Sequence, residues 1–137
     1  MNNKDIAKHY ISTECKIKLA IKKMGNLNVN NFCLVLGKQK NILGTITDGD
    51  IRRGLLKNYN INEKVEKIYQ RRPIVTKKIL TKKEIKSILN KNNITFLPLL
   101  NKKNKVLDIY GNHKIEEAPS IDCQMLIMAG GKGLRLR

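Results

Sequence analysis

Residues 32–46 read FCLVLGKQKNILGTI, and they align without a gap with residues 96–110, FLPLLNKKNKVLDIY, at an offset of 64 positions. This internal duplication constrains the architecture more than any other feature of the chain. Each copy is one supersecondary unit, too small to cover its own apolar face, so the copies must cover each other. Each block is a short apolar run, a polar Lys/Asn-rich turn and a second apolar run. That is the pattern of two short strands joined by a hairpin-like connection.

A helical pattern precedes each block. In the first, Ile17, Ala20, Ile21 and Met24 recur at i, i+3, i+4 and i+7 and form one apolar stripe, with Gly25 as a stop. In the second, Ile85, Ile88 and Leu89 form the stripe, and Thr81 with Glu84 fits a capping box. After the first block a further helix is expected from about Asp48, burying Ile51 and Leu55. After the second, Gly111, Asn112 and Pro119 leave room for only a turn or two. The expected fold is therefore α/β (α+β): two helix–strand–strand–helix repeats packed about a pseudo-twofold axis. The expected boundaries are residues 1–60 for the first repeat, 61–118 for the second, and 119–137 for a linker and tail. A connecting segment runs through Asn60–Thr76.

Composition narrows the function classes. The formal charge is +17 with 28 Lys and Arg against 11 Asp and Glu, but the lysines are scattered rather than massed in one block. An anionic partner is one reading, whether nucleotide, nucleic acid or membrane surface. General Lys enrichment is the other. Aromatic residues make up 4% of the chain, too few for a base-stacking platform, so nucleic acid is not the expected partner. No apolar stretch approaches the ~20 residues needed to span a bilayer, and no membrane partner is expected. Cys15, Cys33 and Cys123 are odd in number and lack CxxC spacing. That suits reduced thiols in the cytoplasm. His9 and His113 share no ligand motif, and no metal is expected.

The chemistry-bearing segment is Gly44-Thr45-Ile46-Thr47-Asp48-Gly49-Asp50-Ile51-Arg52-Arg53, where a strand runs into a helix. The free N–H groups and the dipole at a helix start favour anions. Thr47 can donate to a phosphate oxygen. Asp50 can accept from the two hydroxyls of a ribose, and Arg52 and Arg53 offer charge-assisted contacts to phosphate. Gly44 and Gly49 would keep bulk away from a ligand. The same residues also suit a purely structural role, with Asp48 capping the helix, Asp50 complementing its dipole and the arginines in water.

The run ILGTITDGDIRRGL resembles the signature that ends the second core strand of CBS (cystathionine-β-synthase-type) domains, Gly-hydrophobic-x-Thr/Ser-x-x-Asp. The repeat over about residues 5–117 has the element order of that family. The resemblance implies that Thr47 touches an α-phosphate and that Asp50 binds ribose hydroxyls. It also implies that the base lies in a slot lined partly by Pro73, Ile74, Val75 and Thr76. The implied effector is an adenine nucleotide: AMP, ADP or ATP. The second repeat has Gly111 for the hydroxyl and Lys114 for the carboxylate. Lysine cannot accept a hydrogen bond, so at most one competent site is expected.

Beyond the linker Glu116–Ser120, the apolar run Met125-Leu126-Ile127-Met128-Ala129 leads into Gly130-Gly131-Lys132-Gly133-Leu134-Arg135-Leu136-Arg137. This is neither P-loop nor GxGxxG spacing. A strand entering such a glycine-rich turn can cradle phosphate with backbone N–H groups. LIMAGGKGLRLR resembles the opening of sugar-1-phosphate nucleotidyltransferases, such as the mannose-1-phosphate guanylyltransferases. Leu134 stands where Thr is common. The resemblance implies that Gly130, Gly131 and Gly133 hold the NTP and that Arg135 stabilises charge on the transferring phosphates. It also implies a parent reaction in which a sugar 1-phosphate attacks the NTP and releases pyrophosphate, assisted by Mg²⁺. The acidic ligands and the sugar pocket for that reaction are not in this chain, so the fragment is expected to regulate rather than catalyse. A homodimer through the paired repeats is the expected assembly. The rival readings are a ligand-free oligomerisation scaffold and a basic nucleic-acid-binding module.

Overall fold

A computed structural model describes residues 3–27 and 31–111. The helix after the second repeat, Lys114, the strand Met125–Ala129 and the loop with Gly130, Gly131, Gly133 and Arg135 lie outside the described residues.

The elements run α1 (Asn3–Ala7), β1 (Tyr10–Ser12), α2 (Ile17–Gly25), β2 (Phe32–Leu36), β3 (Ile42–Thr47), α3 (Asp48–Leu56), a 3-10 turn (Val65–Lys67), α4 (Lys82–Asn92), β4 (Phe96–Leu100) and β5 (Val106–Gly111). β2 and β3 pair antiparallel, with β1 parallel to β2; β4 and β5 form a second antiparallel pair. The two hairpins of the repeat agree in register, turn closure and backbone conformation at the turn. Each register slips at the same place, between Val35 and Leu36 in one and between Leu99 and Leu100 in the other. Each turn closes alike, with Gly37 N–H donating to the Asn41 carbonyl and Asn101 N–H to the Lys105 carbonyl, both at 2.9 Å. Each turn also needs one left-handed residue, Lys40 (φ 59°) and Asn104 (φ 58°). The flanking strand is repeated in reduced form. β1 lies parallel to β2, while in the second half a single parallel bridge joins Thr76 to Leu99.

Three apolar clusters follow from the repeat. Ile17, Ala20, Met24, Cys33, Val35 and Ile46 join the helices of the first half to the outer face of its sheet. Ile85, Leu89 and Leu97 do the same in the second half. Between the halves lie Ile6, Phe32, Leu34, Phe96 and Ile109. Phe32 and Phe96 occupy equivalent positions, and their rings stack on each other at 3.8 Å with 6° between planes. The pseudo-twofold relation thus runs through one aromatic pair. His9 extends the stack at 4.2 Å from Phe32, and its Nδ1 donates to the Phe32 carbonyl at 3.0 Å.

The helices match their patterns with two exceptions. The Thr81–Glu84 capping box is present, and Ile85 and Leu89 are buried. In α2, however, Ile21 is 41% exposed, and in α3 Leu55 is 41% exposed. Both were expected inside. α3 instead buries Ile51 and Gly54, because Ile68 presses on it where a Cβ on Gly54 would meet the Ile68 methyl at 2.7 Å. A helix that packs closely through a glycine turns its neighbouring leucine outward.

The segment expected as a connection is a strap over the first half. α2 has no side-chain N-cap; its first free donors, Ile17 and Lys18 N–H, bind the Glu63 and Ile61 carbonyls at 2.9 and 2.8 Å. Val65 is fully buried, and Val65 N–H donates to the Cys15 carbonyl. Gln70 then exchanges both backbone hydrogen bonds with Thr45 on β3, at 2.8 and 3.1 Å. Gly44 permits this approach. A Cβ there would sit 2.1 Å from the Gln70 carbonyl oxygen and 2.5 Å from the Tyr69 ring. Gly44 was expected to make room for a ligand; it makes room for the strap.

Candidate functional site

The strand-to-helix junction is built as a capping box. Thr47 is the N-cap of α3; its Oγ1 accepts from Asp50 N–H at 3.3 Å, while its own N–H donates to Asp50 Oδ2 at 2.8 Å. The Thr47 hydroxyl also donates to Asp50 Oδ2 at 2.8 Å. Arg53, one turn along, places its guanidinium 2.6 Å from Asp50 Oδ1. Hydroxyl, carboxylate and guanidinium therefore form one connected unit. The Asp50 side chain is mostly covered, at 13% exposure, whereas Arg53 is 68% exposed.

These three side chains open onto a cleft of about 450 Å³ between the two halves. From the first half come Thr45, Thr47, Asp50 and Arg53, joined by Gln70 and Arg72 from the end of the strap. From the second come Pro73, Ile74, and the run Asn93 to Phe96. Asn93 closes α4 in the left-handed conformation, φ 51°, which asparagine tolerates better than most residues. The lining thus combines polar and charged groups (Thr47, Asp50, Arg53, Arg72) with the apolar Ile74, Ile94 and Phe96.

Of the residues singled out in the sequence, Thr47, Asp50, Arg53 and Ile74 meet at this cleft. Arg52 does not line it. One residue further round a helix is a turn of roughly 100°, and Arg52 instead pairs with Asp48 at 2.9 Å on the exposed side of α3. Val75 is half-buried and outside the lining. Thr76 is held by the sheet: its N–H donates to the Pro98 carbonyl and its carbonyl accepts from Leu100 N–H. Gln70, Arg72, Asn93, Ile94 and Thr95 were not singled out from the sequence. The repeat held a usable signal for the last three, because residues that precede Phe96 must face the junction that follows β3 if the halves are related by a twofold.

Among the described residues, no group of three or more His, Cys, Asp or Glu side chains is gathered where it could hold a metal ion. No helix among them is long and apolar enough to cross a membrane. Burial pushes the Cys33 thiol up to about 11, so it stays protonated at neutral pH.

With this architecture in view, solved structures of the same shape are informative. The CBS-domain pair of protein MJ0100, in complex with 5′-methylthioadenosine and S-adenosyl-L-methionine, superposes with a TM-score of 0.67 at 24% identity, covering 82% of this chain and 93% of that one. A putative signal-transduction protein with CBS domains from Burkholderia ambifaria gives a TM-score of 0.70 at 17% identity, over 82% and 87% of the two chains. The CBS domains of a transcriptional regulator from Streptococcus pneumoniae give 0.66 at 8% identity, over 80% and 87%. No protein-family model and no curated protein matches the sequence. The fold is that of a CBS-domain pair, a small α+β arrangement of two repeats.

Proposed function

We propose that the chain is a regulatory module that binds an adenine nucleotide, AMP, ADP or ATP, in the cleft between its repeats. The observation that carries this reading is the convergence of Thr47, Asp50 and Arg53 on a 450 Å³ cleft that Ile74, Ile94 and Phe96 also line. A nucleotide offers partners for each kind of group: a phosphate, a diol and a flat base. In the CBS-type arrangement the Thr47 hydroxyl turns from Asp50 to a phosphate oxygen, and Asp50 accepts from the ribose hydroxyls. Arg53 and Arg72 supply positive charge, and Ile74, Ile94 and Phe96 enclose the base. That the MJ0100 pair holds two adenosine-containing ligands supports an adenosine moiety here. Residues 1–60 and 61–118 are read as the two repeats. Gly111 and Lys114 at the equivalent junction leave the second repeat without a hydroxyl and an acceptor, so one site is expected per chain.

By resemblance of residues 125–137, the module belongs in front of a cytoplasmic sugar-1-phosphate nucleotidyltransferase domain. Gly130, Gly131, Gly133 and Arg135 would serve its NTP, and its Mg²⁺ requirement belongs to that domain. Nucleotide binding would then set the geometry of the pair and so the output of the enzyme. A dimer formed through two such pairs is the assembly we favour, and light scattering against concentration tests it.

Titration calorimetry with AMP, ADP, ATP, S-adenosylmethionine and 5′-methylthioadenosine tests the site. Asp50→Asn keeps an oxygen for the cap but loses the charge, and should weaken binding at least about tenfold, equivalent to ~1.4 kcal/mol. Arg52→Ala should leave the dissociation constant unchanged. A saturating ligand at about a hundred times its dissociation constant should stabilise the fold by ~2.7 kcal/mol. Equal heats for wild type and Asp50→Asn, or no thermal shift with any of the five, would leave the scaffold reading in its place.

A further inference from the structure

Lysines that are scattered along the chain are gathered by the fold at one end of the molecule. Ile42 N–H, immediately after the first hairpin turn, donates to the Asn104 carbonyl in the second at 2.9 Å. Turn residues 37–41 and 101–105 therefore lie side by side across the junction of the two halves. They read GKQKN and NKKNK, with five lysines, four amides and neither a carboxylate nor an apolar side chain. Lys38, Lys40, Lys102, Lys103 and Lys105 are all exposed. None of the ion pairs among the described residues reaches them. β3 runs from Ile42 at this end to Thr47 at the cleft, a rise of about 17 Å. The patch and the cleft thus occupy opposite ends of the paired hairpins.

The patch is fixed in shape and short of internal neutralisation. Asn101 Oδ1 accepts from Lys103 and Lys105 N–H, each at 2.9 Å, and the matching left-handed residues Lys40 and Asn104 hold the two turns alike. Only lysine side chains need ordering when a partner arrives. Lys77 and Lys78 add charge at this end, because the Thr76 carbonyl accepts from Leu100 N–H at the entrance to the second turn. The acidic residues near it are engaged: Glu14 pairs with Lys64, and Asp108 Oδ1 accepts from Ile109 N–H.

We infer that the paired turns are a docking surface for the phosphate backbone of a double-stranded nucleic acid, read without regard to sequence. A duplex presents about one negative charge per 1.7 Å of its axis, which two adjacent lysine-bearing turns meet several at a time. The exposed amides of Gln39 and Asn104 can donate to phosphate and sugar oxygens beside them. A protein partner fits less well, since interface cores favour aromatic side chains, Met and Arg over Lys. A second copy would bring another +17 to the same surface. Neither turn carries an apolar side chain to enter a bilayer. The low aromatic content argues against stacking on free bases, not against a backbone contact that leaves the bases paired. The inference is independent of what the cleft holds.

Fluorescence anisotropy of short labelled DNA duplexes of two unrelated sequences, titrated with the full chain, tests this. Wild type should bind both alike. Its affinity should fall roughly a hundredfold or more between about 50 and about 200 mM salt, as four or five phosphate contacts require. A turn variant, Lys38→Gln/Lys40→Asn/Lys102→Gln/Lys103→Gln/Lys105→Gln, should bind at least about tenfold more weakly, with a shallower salt slope. A helix variant of the same net charge, Lys18→Gln/Lys22→Gln/Lys83→Gln/Lys86→Gln/Lys91→Gln, removes exposed lysines from α2 and α4 and should keep most of the affinity. The pair Lys38→Gln/Lys103→Gln should lose binding in proportion and melt with wild type, which separates a lost contact from a lost fold. Equal losses in the turn and helix variants would overturn the inference, since bulk charge would then be the source. So would no binding by wild type, or a marked preference for one sequence. Binding to phosphatidylserine vesicles and not to duplex, governed by the turns, would replace it with a membrane contact.

Discussion

The β2–β3 and β4–β5 hairpins have one backbone and two sets of equipment. Their turns, register slips and left-handed residues coincide position for position. Yet Gly44 of the first hairpin corresponds to Asp108 of the second, Thr47 to Gly111, and Lys40 to Asn104. The first hairpin carries a strap on β3 and a capping box on the cleft. In the second hairpin, Asp108 Oδ1 accepts from Ile109 N–H at 2.7 Å, next to the position where the strap bonds in the first. What is shared specifies the chain path. What differs specifies the site.

The aromatic pair at the centre should give the largest effects. Phe32→Ala and Phe96→Ala should each destabilise by ~3–5 kcal/mol in urea denaturation, since each removes a buried ring and half of the stack. Only Phe96 lines the cleft, so only Phe96→Ala should also weaken nucleotide binding beyond its effect on folding.

Exchanging the equivalent residues of the two hairpins comes next. Gly44→Asp drives a side chain into the Gln70 carbonyl and the Tyr69 ring and should cost ~1–3 kcal/mol or more. It should also displace Gln70 and Arg72 from the cleft, seen as weaker nucleotide binding. A Gly44→Asp protein as stable as wild type would remove the strap as the distinguishing feature of the first half.

The two capping boxes form a matched pair, with the same three distances of 2.8, 2.8 and 3.3 Å. Thr47→Ala and Thr81→Ala should therefore cost about the same, ~1 kcal/mol each by thermal unfolding. Nucleotide binding should distinguish them, falling with Thr47→Ala alone. Equal loss of binding in both would assign Thr47 a structural role only.

The smallest effect concerns the turns. Lysine is strained in the left-handed region that asparagine occupies more readily. Lys40→Asn, which copies Asn104, should raise stability by up to ~1 kcal/mol. A lower melting temperature would show that the Lys40 side chain makes a contact that Asn104 does not.

Much of this was legible before any coordinates. The repeat carried both hairpins and the helices beside them, α2, α3 and α4, and the Thr81–Glu84 box was legible too, because these depend on residues close together in sequence; α1 and β1 ahead of α2 were not foreseen. The TITDGD junction carried Thr47 and Asp50 for the same reason. Arg52 and Arg53 could not be separated by inspection, since both are cationic and adjacent. The helix phase set by Ile51 and Gly54 decides which one faces the cleft. Ile21 and Leu55 were misplaced because periodicity marks an apolar stripe without saying how wide a stripe the neighbouring element will cover.

Sequence alone determined that two copies of one small unit must fold and pair, because neither can bury its own apolar face. It also determined that one junction of the two bears a hydroxyl and a carboxylate. Only the tertiary structure decided that residues 61–72 lie down on the first unit and deliver Gln70 and Arg72 to the cleft. It likewise decided that Asn93 to Phe96 close the other side. Those residues meet through packing of segments distant in the chain, and no local pattern encodes a contact whose two partners are specified by different parts of the fold.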